Sequence, residues 1–266
     1  MTVFGQPRHH FRVTDSTNER ARELALAGAP SGTVVTADEQ TAGRGRRGRD
    51  WAAPAGKALL YSGIERPLGR EHGLLPLAMP LAVCEAVESL APLHCRVKWP
   101  NDVWICEREA PQGDGETGRD AGLSATPGVV GQKVAGVLLE ARPPDWAVIG
   151  IGLNLAIEPD EFPPDLRWPA TSVGHGATVA AALTALNQRL GSWVDAPSVR
   201  VLEEFAERDA LRGREIRWEG AGADVPTGTG RAEGIDDKGN LLVATEAGRR
   251  LSLGAGEVQL AVSAAG

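Results

Sequence analysis

Apolar residues recur along this chain at helical and at strand spacing up to about residue 212, and at strand spacing alone after it. Ser16, Thr17, Asn18 and Glu19 have the S-x-x-E spacing of a capping box, and the helix formers behind them stop at Gly28, which predicts a helix over 17–27. Short apolar runs at 33–37 (TVVTA) and 58–64 (ALLYSGI) predict strands. From residue 80 to 90, Val83, Ala86, Val87 and Leu90 return every three or four residues, the mark of a helix with one buried stripe. RVKW and DVWIC predict strands on either side of Pro100 and Asn101, with Trp99 extended because the proline ring after it excludes the helical region. KVAGVLLE (133–140) and AVIGIGLNL (147–155) are apolar enough for central strands, and helices are expected near 177–194 and 198–210.

After Gly213 the runs shorten to REIRWE, NLLVAT, RRLSL and EVQLAV, separated by Gly, Asp and Asn. The pattern predicts an α/β domain over 1–212 and a small, barrel-like β domain over 213–266. Residues 107–131, rich in Gly, Pro and charge without a period, are expected to be a long, mobile insertion.

Composition narrows the classes. With 42% hydrophobic and 24% charged residues the chain has a globular mixture, and no run approaches a membrane span or a secretory signal, so a cytoplasmic protein is expected. Cys84, Cys95 and Cys106 lack the paired spacing of a zinc site and are expected to be buried, reduced thiols. A net charge of -7 argues against a broad nucleic-acid surface, so any anion site must be local.

Several segments carry candidate chemistry. GRGRRGR (43–49) packs four guanidinium groups among three glycines: glycines let backbone N–H groups turn toward a ligand, and arginines grip phosphate or carboxylate in a forked geometry. The same residues would suit an exposed basic loop or an RNA contact. They also spell G-x-G-x-x-G, but no helix is expected to follow, and no Walker lysine does. KWPND (98–102) sets a cation, an amide and a carboxylate at a strand end; Asp102 could hold magnesium or orient an amine, and the five residues equally suit a self-capping turn. Lys133 opens an apolar strand, where it faces either solvent or an anion. Gly150, Gly152 and Asn154 mark either a strand kept bare for a ligand or a bulge. The helix start at Ser16, Thr17 and Asn18 either caps itself or holds a polar ligand.

In this order, STN (16–18), EQTAGRGRRGR (39–49), KWPND, KVAGVLLE and GIGLN (150–154) closely resemble the biotin protein ligases, over nearly the whole chain. The resemblance implies a mixed β-sheet with flanking helices, similar to class II aminoacyl-tRNA synthetases, followed by an SH3-like domain. It implies ATP and biotin as substrates with Mg2+, a biotinyl-5′-AMP intermediate, and a lysine of a biotin carboxyl carrier protein as acceptor. Ser16, Thr17, Asn18, Gln40, Arg44, Gly45, Arg46 and Lys133 would then bind biotin. Arg46, Arg47, Arg49, Trp51, Lys98, Asn101, Asp102, Lys133 and Asn154 would bind ATP, with Asp102 also a magnesium candidate. Lys133, Arg46 and Asp102 are the catalytic candidates. They would offset the negative charge that gathers when a carboxylate approaches the α-phosphate.

The insertion at 107–131 is longer than the connection expected in this family, and the fifteen residues before Ser16 are fewer than a winged-helix domain needs. A ligase without a repressor role is therefore expected, without nucleic-acid or membrane partners and compatible with a homodimer. The rivals are a lipoate ligase of the same fold and chemistry, a nucleotide- or RNA-binding module using the arginine loop, and a nicotinamide-dependent dehydrogenase, which would require a helix directly after Gly48.

Overall fold

In the computed structural model, the described residues are 2–106, 131–166, 168–219, 227–254 and 258–260. Strands β1 (Arg8–Thr14), β2 (Val34–Gln40), β3 (Ala58–Glu65), β4 (Cys95–Lys98), β5 (Asp102–Ile105), β6 (Gln132–Arg142) and β7 (Trp146–Asn154) form one sheet in the order β1-β2-β3-β7-β6-β5-β4. β1 is parallel to β2, across a connection through α1 (Thr17–Leu26), and the other pairs are antiparallel, so the sheet is mixed. The sequence pattern did not reveal β1. It is an edge strand whose residues are mostly exposed, so no apolar alternation marks it.

The period of two along β7 lays out the molecule. Ala147, Ile149, Ile151 and Leu153 enter the main core, while Trp146 and Val148 join Ala21 and Ala25 of α1 on the opposite face. α1 thus covers one end of that second face, with its first turn over Gly150, and leaves Gly152 and Asn154 beyond its start. The core face packs on α2 (Leu75–Leu90), against which α3 (Val179–Trp193) and α4 (Ser198–Arg208) lie.

α2 begins at Leu75 rather than at the predicted residue 80. Pro76 stands in its first turn and Pro80 lies inside it, where a proline forfeits one hydrogen bond. Eleven of its residues are buried, including Leu77, Met79 and Leu81, so the helix is apolar on more than the one stripe and packing outweighs that loss. Together with the 3-10 turn before it, this stretch (Arg70–Leu90) is long and apolar enough to cross a membrane by composition, but most of it is buried as a core helix.

A second, antiparallel sheet has the order β11-β10-β9-β8-β12, from β8 (Glu215–Trp218), β9 (Gly228–Ile235), β10 (Leu241–Thr245), β11 (Arg250–Leu253) and β12 (Val258–Leu260). Among the described residues β11 and β12 are its two ends and do not pair. β9 escaped the sequence pattern because glycines replace apolar residues. A Cβ on Gly228 would lie 2.5 Å from the Trp218 ring, and one on Gly230 2.4 Å from the Ala244 carbonyl oxygen. Ile216, Trp218, Leu241 and Val243 belong to the same core as α2, and Trp99 Nε1 donates to the Gly239 carbonyl at 3.0 Å, so the two sheets share one continuous interior. Cys84, Cys95 and Cys106 are buried and free, as expected. The expectation of a mobile insertion over 107–131 falls, apart from Gly131, outside the described residues.

Where the chain leaves α4 for the second sheet, Asp209 bridges to Val97 of β4 and is 3% exposed. Its Oδ1 accepts from Leu211 N at 2.8 Å, whereas Oδ2 has no partner. Burial lifts its carboxyl from 3.8 to about 6, against the pull of backbone hydrogen bonds from Leu211 and Arg212 and of the Arg212 and Arg96 charges. Because the folded value is raised, the native state is favoured while Asp209 is protonated and loses stability as pH climbs from about 4 through 6, by on the order of 3 kcal/mol. Thermal melting should therefore fall between pH 4.5 and 7.5 in the wild type, and Asp209→Asn should flatten that slope. Equal slopes in the two proteins would place the ionisation elsewhere.

Candidate active site

The start of α1 opens onto the uncovered face of the sheet. Ser16 occupies the N-cap position with an extended backbone, but its side chain makes no capping bond, so the capping box inferred from S-x-x-E does not form. Glu19 instead meets Arg22 and Arg44. Gln40 at the end of β2 supplies the missing acceptor, its Oε1 taking Thr17 N at 2.7 Å and Thr17 Oγ1 at 2.9 Å. Ser62 Oγ from β3 lies 2.6 Å from Asn18 Oδ1 and 2.9 Å from Thr17 Oγ1. Thr17, Asn18 and Ser62 are buried, which makes this a fixed polar lattice with defined donor and acceptor directions.

Beside the lattice, register lines up Leu60, Gly152, Gly136, Asp102 and Lys98 across five strands. The second and third of these positions lack side chains, and the Trp51 ring lies on them. A Cβ on Gly152 would fall 2.2 Å from Trp51 Cε2, and one on Gly136 3.2 Å from Cζ3. Gly150 makes the same allowance for Asn18, whose Oδ1 would be 2.0 Å from an added Cβ. No register shift falls at these glycines in β7, so they are not a bulge; the room they leave is taken by Trp51 and Asn18.

Lys133 reaches this shelf through a break in the strand period. The β5 and β6 register shifts by one residue between Val103 and Trp104, so that Lys133 shares a face with Gly136, three positions on. Its ammonium lies 2.7 Å from Asp102 Oδ1 and 5.5 Å from the Trp51 ring centre. Burial pushes the Asp102 carboxyl upward, but Lys133, Lys98 and Arg49 outweigh that push and hold it below its usual value, so Asp102 is an anion at neutral pH.

The arginine segment folds back on itself over the shelf. Gly45 N donates to the Arg49 carbonyl at 2.6 Å, Trp51 N donates to the Gly43 carbonyl at 3.0 Å, and a 3-10 turn spans Arg46–Gly48. Arg47, at φ 56°, takes a left-handed conformation unusual for a side-chain-bearing residue. A Cβ on Gly43 would meet the Trp51 carbonyl oxygen at 2.2 Å, so this turn needs glycine there. Arg46 Nη1 donates to Asn101 Oδ1 at 3.0 Å, and Asn101 Nδ2 in turn donates to the Val137 carbonyl at 2.8 Å. Arg44 bridges Glu19 of α1 (3.1 Å) and Glu140 of β6 (3.2 Å).

These elements enclose a cavity of about 520 Å³, within the size range of small-molecule sites. Ser16, Thr17, Asn18, Gln40, Arg44, Gly45, Arg46, Arg49, Trp51, Asn101, Asp102, Lys133 and Asn154 all line it. Two expected residues do not. Lys98 is buried beside it, 4.9 Å from the Trp168 ring centre, and Arg47 lines a neighbouring cavity of about 390 Å³ behind the loop. Asn154 Nδ2 donates to the Thr171 carbonyl at 3.0 Å, tying down the segment whose Phe162 and Trp168 form the far wall. Sequence reasoning missed Ser62, Glu140 and that wall. Ser62 carried a signal, as a hydroxyl inside an apolar strand; the wall carried none.

A polar lattice at one end and two cations with a carboxylate at the other suit an elongated ligand with a neutral hydrogen-bonding head and an anionic tail. Among the described residues no cluster of three or more His, Cys, Asp or Glu could cage a metal. Magnesium typically needs only one or two carboxylates plus substrate phosphates, a role open to Asp102.

Fold and site together define a small-molecule-binding protein whose cavity sets buried polar groups beside arginine and lysine side chains on one face of a mixed sheet. Residues 10–154 match the Biotin/lipoate A/B protein ligase family and residues 213–261 the Biotin protein ligase C terminal domain. The chain belongs to the biotin/lipoate A/B protein ligase family. It is 32% identical to the biotin–[acetyl-CoA-carboxylase] ligase of Mycobacterium tuberculosis, over 92% of this chain and 85% of that one. To the ligase of the same name from Paracoccus denitrificans it is 33% identical, over 90% and 94%. The solved biotin protein ligase of Aquifex aeolicus in complex with biotin and ATP superposes with a TM-score of 0.70 at 26% identity, covering 97% of this chain and all (100%) of that one.

Proposed function

We propose that this chain activates biotin with ATP to biotinyl-5′-AMP and then transfers the biotinyl group to a lysine of a biotin carboxyl carrier protein. The observation that carries the reading is the convergence on one cavity of Thr17, Asn18 and Gln40, held from behind by buried Ser62, with Lys133 and Arg46. The lattice would take biotin's ureido head, leaving its carboxylate at the cations. Attack of that carboxylate on the α-phosphorus expels pyrophosphate, and Lys133 and Arg46 offset the charge that accumulates. No protein nucleophile takes part, so alignment and electrostatics carry the step. Asp102, ionised and paired with Lys133, keeps that ammonium in place and orients the acceptor amine, which attacks the mixed anhydride and expels AMP. Magnesium, held by Asp102 and the phosphates, would add charge compensation when bound. The arginine loop shields the anhydride from water.

The second sheet is, on this reading, the SH3-like domain of the family, with the division between domains near residue 213. The protein works in the cytoplasm without nucleic acid or membrane, and is compatible with a homodimer.

Incubation with ATP, magnesium and either biotin or lipoate, read by pyrophosphate release and by mass spectrometry of the bound adenylate, tests the proposal. Adenylate is expected with biotin. Adenylate with lipoate alone would move the chain to the lipoate branch, and none with either would end the ligase reading.

A further inference from the structure

One carboxylate in contact with the site has no part in the chemistry above. Glu140, three-quarters buried at 25% side-chain exposure, accepts from Asn18 Nδ2 through Oε2 at 2.9 Å and meets Arg44 Nη2 through Oε1 at 3.2 Å. The first contact fixes which way the Asn18 amide points, because with its N–H2 on Glu140 its Oδ1 is turned to Ser62. The second holds the arginine loop, whose Arg44 is gripped from the other side by Glu19 of α1.

We infer that Glu140 is a positioning residue that couples recognition of the acid's head group to closure of the arginine loop, with Glu19 as the second jaw of a clasp on Arg44. The chemistry of the contacts explains why a carboxylate stands there. Both neighbours are donors, and an ionised carboxylate accepts at both oxygens, whereas an amide offers one acceptor and one donor. A glutamine at 140 loses the ion pair with Arg44 in either orientation and, with its oxygen kept on Arg44, turns its N–H2 on Asn18 and forces that amide to flip. In the flipped state Asn18 presents the reverse pattern to the ligand.

The clasp can be tested without substrate, by tryptic cleavage of the ligand-free full chain after Arg44, Arg46 and Arg47, followed by mass spectrometry. The coupling is tested by steady-state kinetics and rests on the biotin ligase reading. Glu140→Gln should speed loop cleavage by about two- to fivefold, as expected for loss of a partly exposed ion pair. It should raise the KM for biotin about tenfold, the scale of one charged hydrogen bond, with the KM for ATP little changed. Glu19→Gln should speed cleavage alike and raise the KM for biotin by less than Glu140→Gln does, since it loosens the loop on Arg44 without touching Asn18. Wild-type cleavage and biotin KM in Glu140→Gln overturn the inference. So does a melting temperature lowered by more than about 5 °C with both KM values raised equally, because Glu140 would then be general scaffolding. Should the wild type form no biotinyl adenylate, the ligase reading fails by itself, and the cleavage rates still decide the clasp.

Discussion

Lys133→Ala should lower the rate of biotinyl adenylate formation by on the order of 10²–10³, the usual loss when one preorganised charge at a developing anion is removed. The effect should fall on single-turnover formation of the adenylate more than on the KM for either substrate, because the ammonium matters most when the carboxylate meets the α-phosphate. The fold should survive. Lys133 stands at a strand end with 26% of its side chain exposed, and its loss leaves Asp102 near Lys98 and Arg49, so the carboxylate keeps nearby cations. Melting within about 2 °C of wild type, combined with the rate loss, would assign Lys133 to the reaction. A near-normal rate would remove it from the site, and a large drop in melting would make its pairing with Asp102 structural.

The motif residues of this site were legible in the sequence because each breaks the expected texture of its element. Lysine at the head of an apolar strand, glycines at alternate positions of a buried one and arginines crowded into an acidic chain all stand out. Their geometry was not legible. That Lys133 shares a face with Gly136 depends on a one-residue register shift opposite Trp104, and strict alternation would have put the two on opposite faces. The local S-x-x-E pattern likewise pointed to self-capping, whereas Gln40, twenty-three residues on, supplies the acceptor and frees Glu19 for Arg44. Edge strand β1 and glycine-rich β9 were missed because pattern reasoning needs a buried apolar face, and neither has a continuous one. Tertiary contacts settled each of these against a local signal or without one.

Gly152→Ala should reduce adenylate formation by on the order of a hundredfold while lowering stability by only about 1–3 kcal/mol, the usual cost of overpacking, so that the rate loss far exceeds any loss of folded protein. Gly152 sits within β7 between Leu60 and Gly136, and an alanine meets no backbone barrier there. What it meets is Trp51: the new methyl carbon would fall 2.2 Å from Cε2 and 2.6 Å from Nε1, too close for the ring to keep its seat. The displaced indole would carry with it the turn that joins Trp51 N to the Gly43 carbonyl, and thus the loop bearing Arg46. If the variant acts through the ring, adding Trp51→Ala to it should cost little more than either change alone, since neighbours in one assembly are not additive. Full additivity of the two substitutions would mean that the glycine serves a ligand lying directly on the strand, and that the tryptophan contributes from elsewhere.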